Sequence, residues 1–197
     1  MIGYCYCFIW PYQFSQAQLL ERNNQVHSWL PLIQSAQERL TTANDVAQYK
    51  WQKKLAITDP TREKQVITQQ IDKAKQIALD VNYVKQVFED QIIANKLIQH
   101  SLFLNWQYKS ETKTDISLVS NKTDLPQLNQ LRVKIDKLNN KLLKDLLKTV
   151  LLRKSSACQE QLNKDLNQFY LQKKIDMPMQ IALIQATMHL CRPDNKI

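Results

Sequence analysis

Residues 37–63 read QERLTTANDVAQYKWQKKLAITDPTRE. Ile33, Ala36, Leu40, Ala43, Ala47 and Trp51 recur through this region at the spacing of one helical face. Arg39 and Lys50 lie eleven residues apart, which at 100° per residue places them within about 20° of each other. Both cations therefore sit on one edge of the apolar stripe. Asp59-Pro60 then reads as an N-cap followed by proline at the first helical position, opening a second helix. Arg62 and Glu63 fall in its first turn. Four ionisable side chains thus border surface that should be buried. Each taken alone is explained by snorkelling, in which a long stem covers core and the charged head reaches water. Four together need a further reason.

Working outward, composition narrows the fold. The chain has 197 residues, enough for one self-sufficient core. Gly3 is the single glycine, so no Rossmann fingerprint, P-loop or nucleophile elbow can be present. Lysine, glutamine, leucine and alanine dominate, and all favour helix. The expected fold is all-α. The formal charge of +9 suits an anionic partner. Its lysines are scattered along solvent faces without aromatic interleaving, so nucleic acid is not the expected partner. His27, His100 and His189 have no metal-ligand spacing, and no metal or cofactor is expected.

Residues 1–17, MIGYCYCFIWPYQFSQA, read as the remnant of a secretory signal, the alternative being a merely hydrophobic end. No other segment approaches the roughly 18 apolar residues of a membrane span. Residues 18–197 form a single helical domain in this reading. About six helices are expected. The first runs from about Ser28 to Leu55, and the second from Pro60 to Ala78 with Val66, Ile67, Ile71, Ala74 and Ile77 inward. The third is capped by Asp80 and ends near Tyr108. Asn95 and Gln99 fall on its core stripe, four residues apart. Two amides on an apolar face need partners, because an unsatisfied buried amide costs roughly 1–3 kcal/mol. Residues 109–126 read as a loop. The fourth helix spans about 127–154, with Arg132 one turn from both Leu128 and Ile135. Cys158 opens a fifth helix and Pro178 a sixth. Antiparallel pairing of these two would bring Cys158 to Cys191, closing the hairpin 158–191 with a disulfide that persists only outside the reducing cytosol. Cys5 and Cys7 carry no assigned role.

Assembled in order, these positions resemble the all-helical chorismate mutases, specifically their secreted subclass. The resemblance runs from about Leu32 to Cys191. It rests on ERL at 38–40, YKW at 49–51, Asp59 with Arg62-Glu63, VFEDQI at 87–92, the Asn95/Gln99 pair, RVKIDKLNNKLL from Arg132, and the two cysteines. It implies a helical bundle that converts chorismate, a dicarboxylate with a hydroxyl and an enol ether, to prephenate without metal, cofactor or covalent intermediate. By the same resemblance Arg39 and Arg132 grip the carboxylates, while Lys50 and Gln99 reach the ether oxygen. Glu63 and the backbone near Asp59 take the hydroxyl, with Arg62 in support and Val66 in the wall. Asn95 replaces a small hydroxyl residue of the family. Gln99 stands where secreted members often carry glutamate. The secreted members resemble dimers in which each chain completes its own site, which leaves room for a homodimer here. Two rivals are a non-catalytic secreted adaptor and a degenerate relative that binds a chorismate-like acid without turnover.

Overall fold

The computed structural model describes residues 28–112 and 128–191. The expected signal remnant, Cys5, Cys7, His27 and the segment 113–127 lie outside these residues. The described helices are α1 (Leu30–Leu40), α2 (Thr42–Gln52), α3 (Pro60–Gln76), α4 (Val81–Glu111), α5 (Leu128–Lys148), α6 (Val150–Arg153), α7 (Cys158–Lys173) and α8 (Met177–Ala186). No strand occurs among the described residues.

The expected first and fourth helices are each interrupted once, and both interruptions fall at threonine. Thr41 keeps helical angles, but its hydroxyl donates to the Glu38 carbonyl, and that of Thr42 donates to the Arg39 carbonyl. Thr149 does the same to the Leu146 carbonyl between α5 and α6. A hydroxyl that bonds back to its own helix competes with the backbone ladder and bends it.

The scarcity of glycine shows at the helix ends. Lys54 and Ala78 adopt left-handed φ values of 53° and 54°. Each closes a helix in the Schellman pattern. Leu55 N–H reaches the Lys50 carbonyl after α2, and Leu79 N–H reaches the Ala74 carbonyl after α3. A residue with a Cβ pays about 1–2 kcal/mol for this conformation, which the returned hydrogen bonds help to offset. N-termini follow the sequence closely: Asp59 accepts from Arg62 N–H, Asp80 from Asn82 and Tyr83 N–H, and Asp176 from Met179 N–H.

One continuous core joins Leu32, Ile33, Ala36 and Leu40 of α1 to Val84, Val87 and Phe88 of α4. It extends through Leu142 and Leu146 of α5, Leu162 and Phe169 of α7, and Leu183 and Ala186 of α8. The long α4 packs along α8, α2 and α3, and α1 lies chiefly against α5. Asp165 of α7 fastens the start of α1 by accepting from Trp29 N–H at 2.6 Å and Ser28 Oγ at 3.0 Å.

Two expectations need correction. Ile77 is 37 % exposed, because it lies at the C-cap of α3, past the last turn that faces the core. The third helix continues through residues 109–111, read as loop, to Glu111. The Cys158–Cys191 disulfide is formed, with Cα atoms 5.6 Å apart. However, α8 packs mainly on α4 and α1, and α7 on α1, rather than chiefly on one another.

Candidate active site

The turn that ends α2 places the first candidate cation. Because Leu55 returns to the Lys50 carbonyl, the chain doubles back, and the Lys50 ammonium donates to the Ile57 carbonyl. Burial pushes the Lys50 ammonium below its ordinary value; Asp59 and Glu63 oppose this, and Lys96 adds to it.

Arg39 is not snorkelling: it is only 4 % exposed. Its Nε donates to Asn139 Oδ1 of α5 at 2.7 Å, and its Nη1 donates to the Gln91 carbonyl of α4 at 3.1 Å. Desolvation, assisted by nearby Arg62 and opposed by Asp136, pushes its guanidinium down to about 10. It stays cationic at neutral pH. Both partners are neutral, so the guanidinium retains its full charge for an anion, held in place from two helices.

At the start of α3 two acidic side chains are interlocked. Asp59 Oδ1 accepts from Arg62 N–H, while Glu63 Oε1 accepts from Asp59 N–H at 3.2 Å. The Asp59 amide expected to meet a substrate hydroxyl is therefore already engaged by Glu63. Arg62 reaches across to Asp136 of α5 at 3.1 Å and to Gln65. It ties α3 to α5 and spends much of its charge there.

One face of α4 completes the site. Ile92, Asn95, Lys96 and Gln99 follow at i, i+3, i+4 and i+7, and all four line the same cavity. Gln99 is 3 % exposed, and its Nε2 donates to Asn95 Oδ1 at 2.7 Å. That uses one of the two amide hydrogens. Gln99 Oε1 is buried without a partner among the described residues.

The cavity has a volume of about 160 Å³. All nine residues singled out from the sequence line it: Arg39, Lys50, Asp59, Arg62, Glu63, Val66, Asn95, Gln99 and Arg132. Its apolar wall includes Val46, Leu55, Ile57, Leu131 and Ile135. An interior with several cations, two acids and an apolar wall suits a small polyanion with a hydrocarbon body. No group of His, Cys, Asp and Glu among the described residues is arranged to hold a metal ion.

Sequence reasoning missed Lys96 and Asn139. Lys96 donates to both Glu63 oxygens, at 3.2 and 3.0 Å. It adjoins Asn95, and its i+4 relation to Ile92 was the available signal. Asn139 is wholly buried. It lies seven residues beyond Arg132, on the same face of α5, so that spacing was legible. Its partner Arg39, 100 residues earlier, was not.

The chorismate mutase type II family matches residues 31–100. The secreted chorismate mutase of Mycobacterium tuberculosis is 31 % identical over 161 residues, covering 82 % of this chain and 77 % of that protein. That of Mycolicibacterium smegmatis is 31 % identical over 163 residues, covering 83 % and 86 %. Among solved structures, the chorismate mutase of Burkholderia phymatum superposes with a TM-score of 0.76 at 28 % identity, covering 86 % of this chain and 99 % of that one.

Proposed function

This chain belongs to the chorismate mutase family, and on that premise we propose how its cavity acts on chorismate. The enzyme is an isomerase that converts chorismate to prephenate, and it works as a secreted or periplasmic protein. A disulfide, which persists only under oxidising conditions, agrees with that location.

The reaction is a Claisen rearrangement. The bond between ring carbon and ether oxygen breaks as the enolpyruvyl methylene bonds to the ring carbon that bears the carboxylate. The ether oxygen becomes a ketone oxygen. Every electron pair shifts within one molecule, so the protein needs neither a nucleophile nor a proton acceptor. What it supplies is a folded, chair-like substrate and stabilisation of the negative charge that grows on the ether oxygen.

In the reading we favour, Arg39 and Arg132 each hold a substrate carboxylate, the first braced by Asn139 and the Gln91 carbonyl. Lys50 and the second amide hydrogen of Gln99 meet the ether oxygen. These two donors gain strength as charge develops, so they contribute to turnover rather than to uniform binding. Glu63 accepts the ring hydroxyl, Asp59 orients Glu63 through its amide, and Arg62 supports the wall beside Val66. Asn95 fixes the Gln99 amide.

The observation that carries this reading is the convergence of all nine residues on one cavity, where Asn95 uses only one of the two Gln99 amide hydrogens. The nine come from one chain, so a homodimer in this reading would carry two complete sites. The direct test is the loss of chorismate ultraviolet absorbance on adding purified protein, with prephenate identified as the product. Unchanged absorbance at micromolar protein would sink the reading.

A further inference from the structure

Glu63 poses a problem that its assigned role does not solve. A carboxylate lines a cavity that must accept a dianion, and both share a partly dry space. Burial of three negative charges together is strongly disfavoured unless each has a counter-charge. Arg62, its neighbour in the same turn, is committed to Asp136 at 3.1 Å. Arg39 points between α4 and α5, where Asn139 and the Gln91 carbonyl hold it. The Lys50 ammonium donates to the Ile57 carbonyl. Among the described residues, the cation within ion-pair distance of Glu63 is Lys96, with Nζ 3.0 Å from Oε2 and 3.2 Å from Oε1.

Both partners are about three-quarters buried, with side chains 24 % and 25 % exposed, and both line the cavity. They come from different helices, α4 and α3, so the pair also ties α3 to α4. Glu63 Oε1 accepts from Asp59 N–H and from Lys96, while Oε2 accepts from Lys96. An oxygen of an ionised carboxylate has two lone pairs, so Oε2 retains room for one more donor, such as a hydroxyl.

We propose that Lys96 is a positioning residue for substrate binding: it neutralises Glu63 and aims its Oε2, so that an acidic side chain can receive the hydroxyl of a dianionic substrate. This rests on the chorismate mutase reading of the cavity. Lys96 acts through Glu63, so its removal leaves an uncompensated carboxylate facing the substrate. Removal of both charges restores the balance, because glutamine at 63 keeps an acceptor oxygen.

The test is steady-state kinetics on the purified enzyme with chorismate, comparing wild type, Lys96→Met, Lys96→Arg and the double variant Lys96→Met/Glu63→Gln. Thermal melting confirms that each is folded, and Lys96→Gln replaces Lys96→Met if the latter does not fold. Lys96→Met should raise KM about tenfold with kcat within about threefold, the signature of lost binding rather than lost transition-state contact. Lys96→Arg, which keeps the charge, should stay within about threefold of wild type in KM. The double variant should recover most of the lost KM. It breaks the α3–α4 ion pair as fully as the single variant does, so a merely structural role predicts no recovery. A KM within about twofold of wild type in Lys96→Met, or no recovery in the double variant, overturns the proposal while leaving an active wild type intact. A wild type without turnover overturns the underlying reading and the proposal with it.

Discussion

Two polar clusters of equal burial lie along α4, and they differ in how completely they are satisfied. Asp90 and Gln99 are each 3 % exposed. Asp90 faces α8, where Gln185 Nε2 donates to one oxygen at 3.1 Å and His189 Nδ1 lies 2.5 Å from the other. Each carboxylate oxygen has a partner, and Asp90 lies outside the cavity lining. Gln99 lines the cavity; it bonds Asn95 and keeps Oε1 without a partner among the described residues. A buried polar group therefore does not mark a site by being buried. Unfinished hydrogen bonding beside open volume does. The first cluster joins helices, and the second lines the cavity.

The contrast is broken most sharply at the open end. Lys50→Ala should lower kcat/KM by about 10²–10³-fold, the loss of one transition-state donor at about 3–4 kcal/mol, with a small change in melting temperature. Near-wild-type kinetics would mean that the cavity does not do the chemistry. The closed end should answer in the opposite currency. Cys158→Ser should cost about 3 kcal/mol of stability, since the bond closes a loop over a separation of 33 residues. Denaturant titration reads this, and turnover at 25 °C should stay within about twofold.

A smaller effect is expected from His189→Ala, which leaves one Asp90 oxygen without its partner and should destabilise by about 1–3 kcal/mol at neutral pH. Burial raises the Asp90 carboxyl above its ordinary 3.8, against the pull of His189 and Gln185. A folded-state value above the unfolded one means that the native state binds more protons between them. That contribution is complete below the ordinary value and is lost as pH rises through the raised one. Asp90→Asn should flatten this limb of the stability profile, and an unaltered limb would assign it to another group.

The least change is expected in the acid limb of activity. Gln99 is an amide and does not titrate, so kcat should vary by less than about twofold between weakly acidic and neutral pH, whereas Gln99→Glu should make it fall as pH rises. At the alkaline end the sign reverses. Lys50 donates only when protonated, and burial holds it below its ordinary 10.5, so activity should decline before a free lysine would titrate.

Much of this was legible in the chain. Helix positions followed from apolar spacing and caps: Asp59 and Asp80 both bond the backbone at helix starts. Departures arose where a local competitor acted, as at Thr41 and Thr149, whose hydroxyls bond back to their own helices. The nine candidate residues were recognisable because each broke an apolar stripe or matched a family position. Lys96 was passed over because a single lysine on a long helix reads as a solvated residue. Only the approach of α3 reveals its acid.

By itself, then, the sequence determined the helices and the residues that border their buried faces, since both depend on neighbours within about four positions. Tertiary structure decided the partners. Arg39 meets Asn139, Arg62 meets Asp136, and Glu63 meets Lys96 across helices far apart in the chain. Periodicity specifies which way a side chain faces, and only the crossing of the helices specifies what it meets there. The same crossings made Asp90 a finished joint and left Gln99 an open one.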